Sequence, residues 1–309
     1  MPLLNSADLE RRIVRYAALI PCLNAFIDCR TPGSEAKENF TIIGPGVSEN
    51  PAQHVHLTEP HGFNIGGARQ PPGCVNSQHS HKTAEVFVVH SGNWRFDLGE
   101  HGDAAQVELH AGDVISLPVD MFRGFTSIGP AADGSPGFLW AVLGSDNPGR
   151  VTWAPRVFEL AREYGLTLLE GGRLIDSAAG EGIPSGETAM PPTARDDADA
   201  LWQPTPTEAG RLVWRADTSG APSLRVVGEG GALDWPHGFT LDRIEISTTY
   251  HVRLRATSPT VIFVHRGVVS VEIDRQIGGL GAGDTVTIPI GSEYELSALG
   301  AAVAYVVTG

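Results

Sequence analysis

The chain has 309 residues, enough for about two domains with substantial cores. Its 22 Lys and Arg stand against 36 Asp and Glu, and the resulting net charge of -14 repels phosphate backbones, so nucleic acid is excluded as an expected partner. The three cysteines, Cys22, Cys29 and Cys74, form no C-x-x-C pair and read as reduced thiols. No apolar run approaches the roughly 20 residues of a spanning helix, and the start lacks the basic-then-apolar order of a signal peptide, so a cytoplasmic protein without a membrane partner is expected.

In chain order, Leu9, Ile13, Tyr16, Ala17 and Ile20 recur at helical spacing and predict a helix over Ala7 to Ile20, with Ser6 as N-cap and Pro21 as stop. Residues 22 to 50 are irregular apart from a short strand candidate at Phe40-Thr41-Ile42-Ile43. They read as an arm that packs on its own chain or on a partner subunit. From about His54 to Leu143, short strands alternate with turn residues, as in an antiparallel sandwich or barrel: VHL, FNIGG, EVFVV, WRFDL, QVELH, DVISL, FRGFTS and FLWAVL. A second helix is expected over Pro155 to Tyr164, closed by Gly165. The stretch Asp176 to Pro206 is rich in Pro, Gly and acid and reads as a linker or extended surface crossing, with Asp196, Asp197 and Asp199 as a solvated patch. Strand-like segments resume at Leu212-Val213-Trp214. The expected division is therefore an N-terminal helix and arm at 1–52, a first β domain with its closing helix at 53–172, a linker at 173–208 and a second β domain at 209–309.

Within the first domain the stretch Gly73 to Gly92 carries the chemistry. Side chains two apart on a strand share a face, so His79 and His81 point together and form half a metal site. Glu85 supplies a carboxylate at the head of the apolar run Val86-Phe87-Val88-Val89, which can hold it rigidly. His90 has the opposite parity and faces away. His54 and His56 lack a following acid and read as a strand face, while His61 reads as structural and Trp94 and Phe96 as plain core. There is no G-x-S-x-G elbow, no G-x-x-x-x-G-K-[ST] loop and no H-E-x-x-H helix.

The spacing of Gly73, His79, His81, Glu85 and Gly92 resembles the first motif of the cupin superfamily. Gly112-DVISL-Pro118 followed by Arg123 resembles the second, with Asp120 in place of a glycine and Arg123 in place of the last histidine. The pattern recurs: His61-Gly62-Phe63 returns as His237-Gly238-Phe239, Gly92 as Gly267, and Gly112-DVISL-Pro118 as Gly283-DTVTI-Pro289. In the second copy, Leu254, Ala256, Thr260 and Tyr294 stand where His79, His81, Glu85 and Arg123 stand in the first, and Pro289-Ile290-Gly291 keeps a turn that the first copy is expected to lack. The chain thus resembles a germin-like bicupin, which implies an all-β fold of two tandem cupin (double-stranded β-helix, jelly-roll) barrels with a few short helices. The second barrel would be a filled core.

The resemblance implies that His79, His81 and Glu85 bind a divalent metal. Fe(II) comes first, since two histidines and one carboxylate suffice for it, with Mn, Ni, Cu or Zn as alternatives. Arg123 would either orient an anionic substrate beside the metal, with Phe87 and Val89 lining the pocket, or pair with Glu85 and replace the metal. Glu85 and Arg123 are thus the candidate catalytic residues. The function implied is a metal-dependent oxidoreductase, a dioxygenase acting on a small phenol, diketone or aromatic acid. A non-catalytic small-ligand sensor and a sugar isomerase or epimerase are the alternatives. The spare arm and the filled second barrel leave a homodimer open.

Overall fold

The computed structural model describes residues 4–216 and 221–309, and among them nearly all regular structure is β-strand, with four short helices. Apart from one short hairpin and one parallel pairing, of 38–43 with 55–57, the strands form two pairs of antiparallel sheets. In the first pair, a seven-stranded sheet runs in the order 213–214, 114–117, 85–91, 137–144, 63–70, 38–43, 55–57, and faces a five-stranded sheet ordered 152–153, 75–80, 123–129, 93–98, 105–109. The second pair repeats this with six strands (13–14, 285–288, 260–266, 302–308, 240–246, 223–227) and four (252–255, 293–297, 269–273, 276–280). These are two tandem jelly-roll barrels, the cupin architecture expected from the sequence.

Burial along the strands follows from how many faces are covered. Ala105–Leu109 alternates buried and exposed, with Gln106 and Glu108 in solvent, because only one face is packed. Gly137–Gly144 is buried at every position. Its Leu139 and Ala141 point into the first barrel, and Phe138, Trp140 and Val142 point toward the second. The large sheets of the two barrels therefore pack face to face. Trp140 stacks on Phe263 at 4.7 Å and 10°, and its Nε1 donates to Thr285 Oγ1 at 3.2 Å. His90 lies in this interface, 5.6 Å from its counterpart His265, and faces away from the barrel interior as its parity requires.

The N-terminal helix is shorter than its periodicity suggests. It spans Ser6–Glu10, capped by Asn5 rather than Ser6 in a reciprocal arrangement with Asp8. Ile13–Val14 is then a strand pairing with Val286 and Thr285 of the second barrel, where a free sheet edge fixes two β-branched residues in extended form. The second half mirrors this. A helix Pro206–Gly210, capped by Thr205 and Glu208, leads into Val213–Trp214, which pairs with Ile115 and Val114 of the first barrel. Matching aspartates fasten both crossings. Asp284 accepts from Tyr16 N at 2.9 Å and Arg15 Nη1 at 3.0 Å, and Asp113 from Ala216 N at 3.0 Å and Arg215 Nη1 at 2.7 Å. Each barrel is thus completed by the segment that leads into the other.

The rest of the arm returns to the first barrel, where Glu38–Ile43 pairs with Phe63–Gln70. Helix Pro155–Glu163 forms where Pro155 and Gly165 predict it. A hairpin of Leu166–Leu168 with Leu174–Asp176 leads into the acidic crossing, which holds a helix Arg195–Asp199. That helix is anchored by buried Ala198 and by Arg195 Nη1 on Glu100 Oε1 at 2.8 Å, while Asp196, Asp197 and Asp199 stay in solvent. The second barrel is filled by apolar side chains, among them Ile262, Val264, Val271, Val286, Leu296 and Val306. Among the described residues no helix is long and apolar enough to cross a membrane.

Candidate metal centre

His79 sits near the end of Val75–Ser80, directly across from Arg123 on one side and from Trp153 on the other. His81 lies one residue beyond the strand, and its carbonyl receives Asp120 N at 3.3 Å. Asp120 has a φ of +55, so the aspartate adopts the left-handed turn that Gly291 provides in the second barrel at +89. The turn expected to be missing from the first copy is present: a short polar side chain tolerates that conformation, and Asp120 Oδ1 accepts from Lys82 Nζ at 2.6 Å. Glu85 opens the strand Glu85–Ser91 between Leu143 and Leu117.

Across these elements, one donor atom each from His79, His81 and Glu85 lie within 4.8 Å of one another, all three residues buried. His79 Nδ1 is 2.8 Å from the Ser77 carbonyl, which fixes the N–H there and leaves Nε2 as a lone pair. The ring is also packed at 5.5 Å from Trp153, whose Nε1 donates to Glu49 Oε1 at 2.6 Å. Burial raises the Glu49 carboxyl to about 8. His81 Nε2 lies 3.6 Å from Glu85 Oε1, and its Nδ1 is buried with no hydrogen-bond partner among the described residues. Burial first, and then the nearby Arg123 charge, push His79 down to about 3 and His81 well below its ordinary value. Both imidazoles are therefore neutral bases at pH 7, the form a metal requires.

Arg123 is fully buried and turned to Glu85. Its Nε and Nη2 reach Oε2 at 3.3 and 3.2 Å, and Nη1 donates to the Met121 carbonyl at 2.9 Å. Burial raises the Glu85 carboxyl and the Arg123 charge pulls it back. The contact engages one oxygen only and is longer than the roughly 2.7–2.9 Å of a strong charged bond. Oε1 stays turned toward His81. Two neutral imidazoles, one of them with an unpartnered ring nitrogen, and an uncommitted carboxylate oxygen are a donor set that fits a divalent cation.

These groups line one end of a cavity of about 80 Å³. Phe87 is on its wall, as expected, with Phe125, Ala141 and Leu143. Val89 is not: it is fully buried in the apolar cluster with Trp94, Phe96 and Leu139, one turn of the pleat too deep to reach the lumen. Arg123 is also off the wall, because its guanidinium is spent on Glu85 and Met121, so the structure does not place it as a clamp on bound substrate. His54 and His56 lie together at 4.5 Å outside the cluster, with His56 bonded to the Thr41 carbonyl at 2.9 Å. The arm was missed as part of the site. Phe26, Asn39, Thr41, Val47 and Gln53 complete the cavity wall. The signal for it was the alternation Asn39-Phe40-Thr41-Ile42, polar residues on one face of an otherwise apolar strand.

The second barrel repeats the register without the ligands. Leu254 pairs with Tyr294 as His79 pairs with Arg123, and Thr260 with Ile288 as Glu85 with Leu117. Leu254 is half exposed, because its strand is an edge with nothing like Thr152–Trp153 beside it among the described residues.

No family model matches the chain, and no curated protein matches it. Solved structures do. An oxalate decarboxylase from Lactobacillus farciminis in complex with formate aligns over 96% of this chain and 85% of its own, at 11% identity and a TM-score of 0.57. Oxalate decarboxylase from Bacillus subtilis at pH 4.6 aligns over 96% and 75%, at 9% identity and a TM-score of 0.57. A further structure of the Bacillus subtilis enzyme, described for its Mn(II) centres, aligns at 9% identity and a TM-score of 0.54. At such identity the likeness establishes the double-barrel cupin fold.

Proposed function

We propose that the first barrel is a divalent-metal centre that transforms a short anionic oxygenated substrate, held by His79, His81 and Glu85. The observation that carries this reading is the convergence of their donor atoms within 4.8 Å on a cavity wall. Mn(II) is favoured by the solved structure of like fold described for its Mn(II) centres, and a set of two histidines and one carboxylate also suits Fe(II). When bound, the metal supplies Lewis acidity and open positions for a chelating oxygen pair.

The charge of the site supports an anionic substrate. With both imidazoles neutral, Glu85 and Arg123 cancel, so a divalent ion leaves the pocket with two uncompensated positive charges in a buried site. An anionic head group offsets them, which selects an acid or an enolate over a neutral sugar. Arg123 acts through Glu85, fixing its rotamer and drawing its carboxyl back down against the effect of burial, and is a positioning residue. The Ser77 carbonyl and the Trp153–Glu49 pair hold the His79 ring in one tautomer and one orientation. The arm and Trp153 keep bulk water from the reacting head. A cavity of about 80 Å³ is half the roughly 150 Å³ that accommodates benzene, so a short oxo acid fits better than an aromatic acid.

Oxygen-dependent oxidation of such a substrate is the reaction proposed. Redox-neutral decarboxylation is the second reading, favoured by the fold likeness to oxalate decarboxylases. Mn(II)- and Fe(II)-loaded protein incubated with short oxo acids and diketones separates them: oxygen consumed in step with substrate supports the first, and CO₂ released without oxygen uptake supports the second. In either case Glu85→Gln abolishes turnover. Turnover that persists in that variant contradicts the site.

A further inference from the structure

A bulge shapes the part of the lumen next to the ligands. Arg123 lies opposite His79 and Phe125 opposite Asn76, so three steps along Val75–Ser80 span two along Arg123–Gly129. The extra residue brings Asn76 onto the face of its partner Phe125, and both line the cavity. Gly124 stands at the bulge because a Cβ there would lie 2.6 Å from Gln78 Nε2 and 2.8 Å from the Asn76 carbonyl oxygen. Phe87 follows Glu85 by two positions, and its ring is 5.4 Å from that of Phe125. Asn76, Phe125 and Phe87 therefore form one layer of the lumen, a single pleat repeat of roughly 7 Å from the layer of His79 and Glu85.

Asn76 is the polar member of that layer, and its amide is oriented from behind. Lys37 Nζ, fully buried and bonded to Asp28 Oδ1, reaches Asn76 Oδ1 at 3.3 Å. An ammonium carries donors only, so the amide presents its oxygen to Lys37 and turns its NH2 away. Asp28 Oδ2 accepts from Ser77 N at 2.9 Å, which ties the ion pair to the bulged strand. The bond to Lys37 is the one hydrogen bond of the Asn76 side chain among the described residues, and the residue keeps 5% of its surface open. Asn76 Nδ2 is thus an unspent donor at the cavity, strengthened by the charge that polarises the amide oxygen.

We propose that Asn76 holds a second oxygen of the substrate, so that the site takes a short 2-oxo acid bearing an oxygen on C4. The inference rests on the metal-centre reading above and narrows its substrate. From C2 of such an acid to the C4 oxygen is three bonds, about 4 Å, and a hydrogen bond adds about 3 Å, which together match one pleat repeat. With the acid's head at the triad, C3 and C4 lie against Phe87 and Phe125 and the C4 oxygen comes level with Asn76.

The test is calorimetric binding of 2-oxobutanoate and 4-hydroxy-2-oxobutanoate, which differ by that one oxygen, to the Mn(II)-loaded full chain. Mn(II) binding is measured alongside by electron paramagnetic resonance. In the unmodified protein the hydroxyl tightens binding about 2- to 12-fold, the range of one neutral hydrogen bond. Asn76→Ala removes the hydroxyl's advantage and leaves Mn(II) binding unchanged. Asn76→Leu, which keeps the bulk and loses the donor, does the same and carries the test if the alanine variant folds poorly. A hydroxyl advantage that is absent in the unmodified protein, or that survives in a folded Asn76 variant, overturns the inference. In those cases Mn(II) stays bound and the metal-centre reading stands. Failure of the unmodified chain to take up Mn(II) overturns that reading and this inference with it.

Discussion

Arg123 holds Glu85 by one oxygen. The guanidinium reaches Oε2 at 3.2 Å, and Oε1 is left facing His81 at 3.6 Å. This arrangement reconciles an ion pair with a metal site: the guanidinium bonded to the buried carboxyl does not occupy the atom a cation would use. Removing the arginine strands the carboxylate in a buried pocket, so Arg123→Gln is expected to cost the metal-free protein about 3–5 kcal/mol in urea unfolding. A loss under about 1 kcal/mol would mean that Glu85 needs no partner there.

The interface between the barrels makes stability depend on pH. Burial holds His90 at about 4 and His265 at about 3, against 6.5 for a free ring, and each has an unpartnered Nδ1 among the described residues. Between those values the unfolded chain binds protons that the folded chain refuses. Stability is therefore full above about pH 6.5 and falls as pH drops toward 4. The melting temperature of the metal-free protein should decline over that window, and the decline should be shallower in His90→Leu/His265→Leu. Equal slopes would show that other groups carry the acid sensitivity.

The crossed segments are fastened by two equivalent aspartates, and each is predicted to matter separately. Asp284→Ala removes the acceptor of Tyr16 N and Arg15, and Asp113→Ala that of Ala216 N and Arg215. Each substitution is expected to cost about 1.5–3 kcal/mol, the range of hydrogen bonds to a charged group. Limited proteolysis should then cut near Arg15 in the first variant and near Arg215 in the second. Unchanged cleavage patterns would mean that strand pairing alone holds the segments.

Much of this was legible in the sequence, for physical reasons. Period-two apolar alternation and turn residues marked the strands, and the spacing of His79, His81 and Glu85 marked the three donor side chains that converge in the first barrel. What failed was where a tertiary partner overrode a local pattern. Ile13-Val14 reads as helix until the free edge at Val286 claims it, and Asp120 reads as a lost turn although it supplies the left-handed conformation. Val89 has the lumen's parity but sits too deep, since parity gives a side and not a depth. The arm's contribution to the cavity depends on contacts between Asn39 and strands more than 25 positions away, which no local pattern encodes.

Mn(II) titration of the metal-free chain, followed by electron paramagnetic resonance, asks the decisive question. A centre built from His79, His81 and Glu85 predicts one bound ion per chain, and none in His81→Ala at the same concentrations while the variant stays folded. Unmodified protein that leaves all Mn(II) free, or a His81→Ala variant that still binds one equivalent, would contradict it.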